Sequence, residues 1–208
     1  MIYLSHMEII PFPIFDLQSS DIDRFMTAYT ALKTAFSPTF EKDFTFPVAD
    51  YLLFEQYHQA DIREAINLHT TGEAFMMFWL MGYNSGSARS AKHQEYQAWG
   101  AVTLKNDFGH VLIKEKSLGD FVMNMLHHTE LTFPEDKAFS HHFCVMTGDR
   151  DKAGVAMDND FRAALMDIDI PDFTLEIIKN RLLIGNHKLI TPEQTLKMAK
   201  LLEQLGGL

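Results

Sequence analysis

The residues predict an α+β fold: a mostly helical N-terminal third, then antiparallel hairpins packed by helices, and a capped C-terminal helix. Three observations lead there. Residues 136–186 pass from apolar alternation through a Gly148-Asp149 turn to helical spacing, and then back to alternation. Two pairs of alternating segments flank short polar connections, Asn106-Asp107-Phe108-Gly109 and Lys179-Asn180-Arg181, as hairpins do. Near the end, Thr191 stands at an N-cap, Pro192 at the first helical position and Gln194 where a capping box needs it.

Taken in order, Ser20 or Asp21 caps a first helix with Ile22, Phe25, Met26, Tyr29, Leu32 and Phe36 on one face. Pro38 ends it, because the residue before a proline resists helical dihedrals. Pro47 opens a second helix through Tyr51 and Leu52. Ile62, Ala65, Ile66 and His69 repeat at helical spacing, and Gly72 lies beyond them. Phe75 to Tyr83 is apolar without period, and its bulky side chains and nearby glycine favour a buried strand.

Residues 84–91 (NSGSARSA) form the clearest loop and the one internal linker. The chain therefore reads as a single α+β domain, 1–208, with a point of subdivision there. On that reading 1–83 is a mainly helical part and 92–208 a hairpin and helix part.

Beyond the linker, 98–104 and 110–116 are expected to pair as a hairpin. Leu118, Phe121, Val122 and Met125 mark a short amphipathic helix, while 130–133 and 139–146 read as strands. Asp149 begins a brief helical turn. Asp158 caps a helix burying Phe161, Ala164, Leu165 and Ile168. A second hairpin pairs 173–178 with 182–186. In the last helix Met198, Leu201, Leu202 and Leu205 make the apolar face, and Gly206-Gly207 ends it.

Composition bounds the function. Of 208 residues, 47% are hydrophobic and 22% charged, as in ordinary globular chains. Eighteen basic against 28 acidic residues give a net charge of −10, which repels nucleic-acid phosphates and anionic membrane surfaces alike. A single cysteine, Cys144, cannot close an internal disulfide and suits a reducing compartment. The first residues, MIYLSHMEIIPFPIF, lack the basic start and small-residue cleavage site of a secretory signal. The longest apolar run, Ala74 to Met81, is far shorter than the roughly 20 residues that span a bilayer. These features predict a soluble, acidic, cytoplasmic protein without membrane insertion.

The segment Asp136 to Leu165 resembles a bacterial domain-of-unknown-function family, the type numbered 3137. Asp136, Phe139, Phe143, Val145, Asp149, Ala153, Phe161 and Leu165 fall in register with its pattern, and a strand pair like 173–186 follows, as in the family. Two features depart from it. Lys152-Ala153-Gly154-Val155 replaces a Glu-Ala-Arg-Tyr run and Met157 replaces a leucine, and the transmembrane helices that precede the domain in longer members have no counterpart here. The resemblance implies a fold and a bacterial origin, and it brings no activity.

Several constellations carry potential chemistry. His127-His128 and His141-His142 flank Glu130, Glu135 and Asp136, and imidazoles with carboxylates are ligands for zinc or iron. Adjacent strand residues point to opposite faces, so each pair offers one ring at most to a shared centre. The metal candidates are then His128, Glu130 and His142, weighed against polar residues at the ends of elements. Cys144 beside His142 could serve as a nucleophile, but between Phe143 and Val145 it reads as a small buried hydrophobe. Asp136 and Asp149 are too far apart along the chain for a carboxylate pair, and Asp149 is placed to cap. The run Phe75, Met76, Met77, Phe78, Trp79 and Met81 is either a binding surface or core, and core is the commoner use.

No catalytic residue, cofactor site or phosphate-binding loop stands out. The predicted function is a non-catalytic domain that binds a protein partner. Its alternatives are a metal-dependent hydrolase using the His and acidic cluster, and a small-molecule binding domain.

Overall fold

The computed structural model describes residues 18–84, 92–116 and 129–208. Its order is α1 (Ser19–Ala35), β1 (Thr39–Phe40), β2 (Gln59–Asn67), β3 (Phe75–Asn84), β4 (Lys92–Thr103), β5 (His110–Glu115) and β6 (Thr129–Leu131). There follow α2 (Lys137–His142), β7 (Phe143–Thr147), α3 (Arg150–Ala156), α4 (Asn159–Met166), β8 (Phe173–Ile178), β9 (Arg181–Asn186) and α5 (Pro192–Gly207). Among the described residues the strands make one nine-stranded sheet, in the order β1-β2-β3-β4-β9-β8-β5-β7-β6. Every neighbouring pair is antiparallel.

This corrects the predicted fold class. The chain is strand-rich, and its N-terminal third is not mostly helical. After α1, two short 3-10 turns (Val48–Asp50 and Leu52–Phe54) stand where a second helix was expected, and the predicted 62–69 helix is strand β2. The cause is a bulge. The register shifts between Ile62 and Glu64, so Ile62 opposes Trp79 and Ala65 opposes Met77. Trp79 and Met77 share a face, so Ile62 and Ala65 do too, three residues apart, and the spacing imitates a helix.

The predicted pairing of 98–104 with 110–116 is also corrected. Strand β4 pairs with β3 and β9, while β5 pairs with β7 and β8. The β8–β9 hairpin is inserted between them. Its tip is held by the connection itself, with Phe108 N–H donating to the Lys179 carbonyl and Leu104 N–H to that of Asn180. The predicted 139–146 strand divides into α2 and β7, because Asp136 accepts the Phe139 N–H and starts a helical turn. The predicted helix at Leu118–Met125 lies outside the described residues. So does most of the 84–91 loop, although β3 and β4 on either side of it pair from Asn84↔Lys92 to Phe75↔Ala101.

Other elements are where the sequence puts them, including β3, the β8–β9 hairpin, α4 and α5. Asp158 accepts the Phe161 N–H, Thr191 accepts that of Gln194, and Asp149 accepts that of Lys152 at 3.0 Å. Asp149→Ala is expected to cost about 1 kcal/mol through loss of that cap. The measurement is the urea midpoint at constant m-value, and an unchanged midpoint would leave the carboxylate no capping role.

The sheet is covered on both faces. On one, α1 and α5 pack against each other and bury Phe25, Leu32, Met198 and Leu202 over Met76, Phe78 and Ile184. Phe139, Phe161 and Leu165 extend this core across the other half of the sheet. Arg162 is buried beside them. Its guanidinium donates to Asp136, to the Met157 carbonyl and to Asn159, and lies 4.4 Å from the centre of the Phe133 ring. Each of its three nitrogens thus has a partner, which makes a buried charge tolerable.

The sheet's edges are blunted. β1 has two residues, β6 has three, and the exposed part of β2 carries its bulge among Asp61, Arg63 and Glu64. Short edges, bulges and charges oppose edge-to-edge pairing.

Candidate functional site

On the face opposite the helices, residues 44–57 cross the sheet as a strap. Phe44, Phe46, Val48, Tyr51, Leu53, Phe54 and Tyr57 face down onto Met77, Trp79 and Met81 of β3 and Trp99 of β4. Phe54 stacks on Trp79 with ring centres 4.6 Å apart and meets Trp99 edge-on at 5.0 Å. The indole of Trp99 lies directly over β9, where a Cβ on Gly185 would come within 2.4 Å of it. Both tryptophans of the chain are fully buried beneath the strap.

Apolar contact alone would leave the strap's backbone N–H groups dry and unpaired, so it is held by two polar attachments. The first is Glu176 of β8. Its carboxylate is fully buried and accepts the N–H groups of Leu52 and Leu53, each at 3.1 Å, and its Oε1 lies 2.6 Å from His110 Nε2. Beside it the Tyr51 hydroxyl donates to the Arg181 carbonyl. Burial drives the Tyr51 pKa far above the ordinary phenol value, with Arg181 opposing, so this hydroxyl stays a donor.

The second attachment is a relay of directed hydrogen bonds at the end of the strap. An indole N–H can only donate, so the Gln97 atom 3.1 Å from Trp99 Nε1 is Oε1. Gln97 Nε2 then points to the Tyr57 hydroxyl oxygen, 3.4 Å away, and to Glu95. The Tyr57 proton goes on to His187 Nδ1 at 2.6 Å, where Gln56 Nε2 also donates from 3.4 Å. The amide NH2 of Gln56 can only donate, so Nδ1 is the acceptor, Tyr57 donates to it as well, and the proton of the neutral ring sits on Nε2. Burial of the ring's inner side lowers the His187 pKa, and the Glu95 carboxylate works in the opposite direction.

The sequence candidates are placed differently. His142 ends α2 with Nε2 3.7 Å from Glu115, and Glu130 on β6 is 2.9 Å from Lys116. His128 lies outside the described residues. Among the described residues no three His, Cys, Asp or Glu side chains gather as a metal centre. Cys144 is half-buried, and burial followed by nearby Glu130 raises its thiol pKa away from the reactive thiolate. Met76, Met77, Phe78, Trp79 and Met81 are buried and Phe75 is half-buried, which assigns that run to the core. Asp136 and Asp149 each cap a helix.

Sequence reasoning missed Glu176, His187, Tyr57 and Gln97. A signal existed for two of them. Glu176 sits within FTLEII and Gln97 within YQAWG, as polar residues in strands buried on both faces.

No family model and no curated protein matches the chain. Among solved structures it is similar to the mycobacterial trehalose monomycolate transport factor A, with a TM-score of 0.55 and 10% identity, over 88% of this chain and 93% of that one. At that identity the likeness is one of fold. Among the described residues no helix is long and apolar enough to cross a membrane.

Proposed function

We propose that this chain is a non-catalytic domain that binds a protein partner at the open end of the strap. The observation that carries the reading is the exposed group of Gln56, His58, Gln94 and His187 beside half-buried Tyr57, standing on a rigid aromatic floor. Amides, imidazoles and a tyrosine over a fixed base make an adaptable hydrogen-bonding surface with an amphipathic anchor, the chemistry of protein recognition. The groups that could do chemistry are committed elsewhere: Glu176 to strap amides, Asp136, Asp149 and Asp158 to helix caps, and Arg162 to a buried network. A fold shared with a protein named a transport factor supports the same reading only as far as fold can. The excess of acidic residues favours a basic partner surface, and with the single cysteine it supports a cytoplasmic setting.

The test is photocrosslinking in the source cells. A photoreactive residue at Gln94 is expected to give one discrete cross-linked protein, and the same residue at exposed Lys200 on α5 to give none. Equal products from both positions, or none from Gln94, would overturn the reading.

A further inference from the structure

We propose that His187 is an acid-operated latch on the strap. While neutral, its ring holds the end of residues 44–57 on the sheet, and protonation at Nδ1 releases that end and uncovers Trp79 and Trp99. This inference concerns the strap itself and stands apart from the choice of partner.

The geometry gives the latch its direction. The relay from Trp99 through Gln97 and Tyr57 ends on His187 Nδ1, and every member donates towards that nitrogen. A proton there turns the acceptor into a donor facing two donors, Tyr57 and Gln56. Both belong to the strap, so the end of the strap bears the whole loss. Among the described residues, the charged and titratable groups shown acting on the ring are Tyr57 from the strap and Glu95 from β4, while Lys188, next to it in its own loop, is engaged 2.6 Å from Asp172. Glu95 offers the imidazolium a partner on the sheet instead of on the strap.

Release is confined to one end. Leu52 and Leu53 stay fastened to Glu176, and the chain rejoins the sheet where His58 N–H donates to the Gly82 carbonyl. The movable part is therefore the Phe54 to Tyr57 turn, whose Phe54 is the ring covering both indoles.

The sign follows from the ring's environment. Burial lowers the folded pKa, so the unfolded or released chain takes up the proton first as pH falls. The contribution of the latch is complete above about pH 6.5, the unperturbed histidine value, and is lost as pH falls below it.

The chain's two tryptophans both lie under the strap, so their emission reports on it. Emission and far-UV circular dichroism are followed from about pH 7.5 to about pH 5, across the histidine range. The expected result is a red shift with unchanged circular dichroism in the wild type. In His187→Gln, whose carbonyl accepts from Tyr57 without titrating, the emission should stay at the wild-type neutral value throughout. His187→Phe should be red-shifted already at neutral pH, and Tyr57→Phe serves if that variant does not fold. A flat wild-type emission, an equal shift in His187→Gln, or loss of circular dichroism in step with the shift would overturn the latch.

Discussion

Glu176→Ala is expected to destabilise the protein by about 3–5 kcal/mol, the range for removing one partner from a fully buried charged network. The carboxylate is completely inaccessible and serves three donors at once: two strap amides at 3.1 Å and His110 at 2.6 Å. Truncation leaves a small cavity and two amide N–H groups beneath apolar rings, each costing roughly 1–3 kcal/mol if it stays unpaired. Glu176→Gln separates shape from charge. It keeps the volume but puts an NH2 group where an acceptor is needed, and is expected to cost about 2 kcal/mol. Urea unfolding at constant m-value measures both, and tryptophan emission before the transition reports whether the strap lifts. A loss below about 1 kcal/mol in Glu176→Ala would show that the strap amides find other acceptors.

What could be read from residues alone tracks how local each signal is. Asp149, Asp158 and Thr191 were legible as caps because a cap and its amide are three residues apart. The β8–β9 hairpin was legible because two residues, Lys179 and Asn180, join its strands. The connection at 104–109 carries equally good turn chemistry, with Gly109 in the left-handed region at φ 72° and its N–H donating to Asp107. It nevertheless joins strands that do not pair, because the partner inserted between them comes from about 70 residues further along the chain. Turn residues fix a change of direction, and the order of strands in a sheet is a tertiary matter.

The same limit hid the candidate site. Glu176 acts on amides 123 and 124 residues away, and His187 on a hydroxyl 130 residues away. No window of sequence contains both partners. The paired histidines attracted attention through adjacency, which counts for little once Asp136 starts a helix ahead of His141 and His142. The bulge in β2 shows the converse, a periodicity that is present in the sequence but arises from a strand slipping phase by one residue.

Gly206→Ala is the second large effect, expected to cost about 3 kcal/mol by overpacking a site that cannot yield. The pair Gly206-Gly207 reads in sequence as a helix stop, yet α5 runs through to Gly207. Gly206 is buried where α5 crosses residues 71–72, and an added Cβ would lie 2.1 Å from the Thr71 carbonyl oxygen and 3.0 Å from Val102. The obstacle is backbone, so no side-chain rotation relieves it. The opposing residue is Gly72, itself at φ 88°, whose own Cβ would meet Gly206 Cα at 2.7 Å. Two glycines therefore let the last turn of α5 sit directly on the β2–β3 connection, and either side chain would force the helix off the sheet. Gly207→Ala is the control within the same turn. Nothing lies within 4 Å of its Cβ position, so the change should fall between neutral and about 1 kcal/mol stabilising, as helix propensity allows. Thermal and urea unfolding of the two variants side by side make the test. Equal effects would mean that helix propensity alone governs the end of α5, whereas a loss confined to Gly206→Ala places the constraint in the contact between helix and loop.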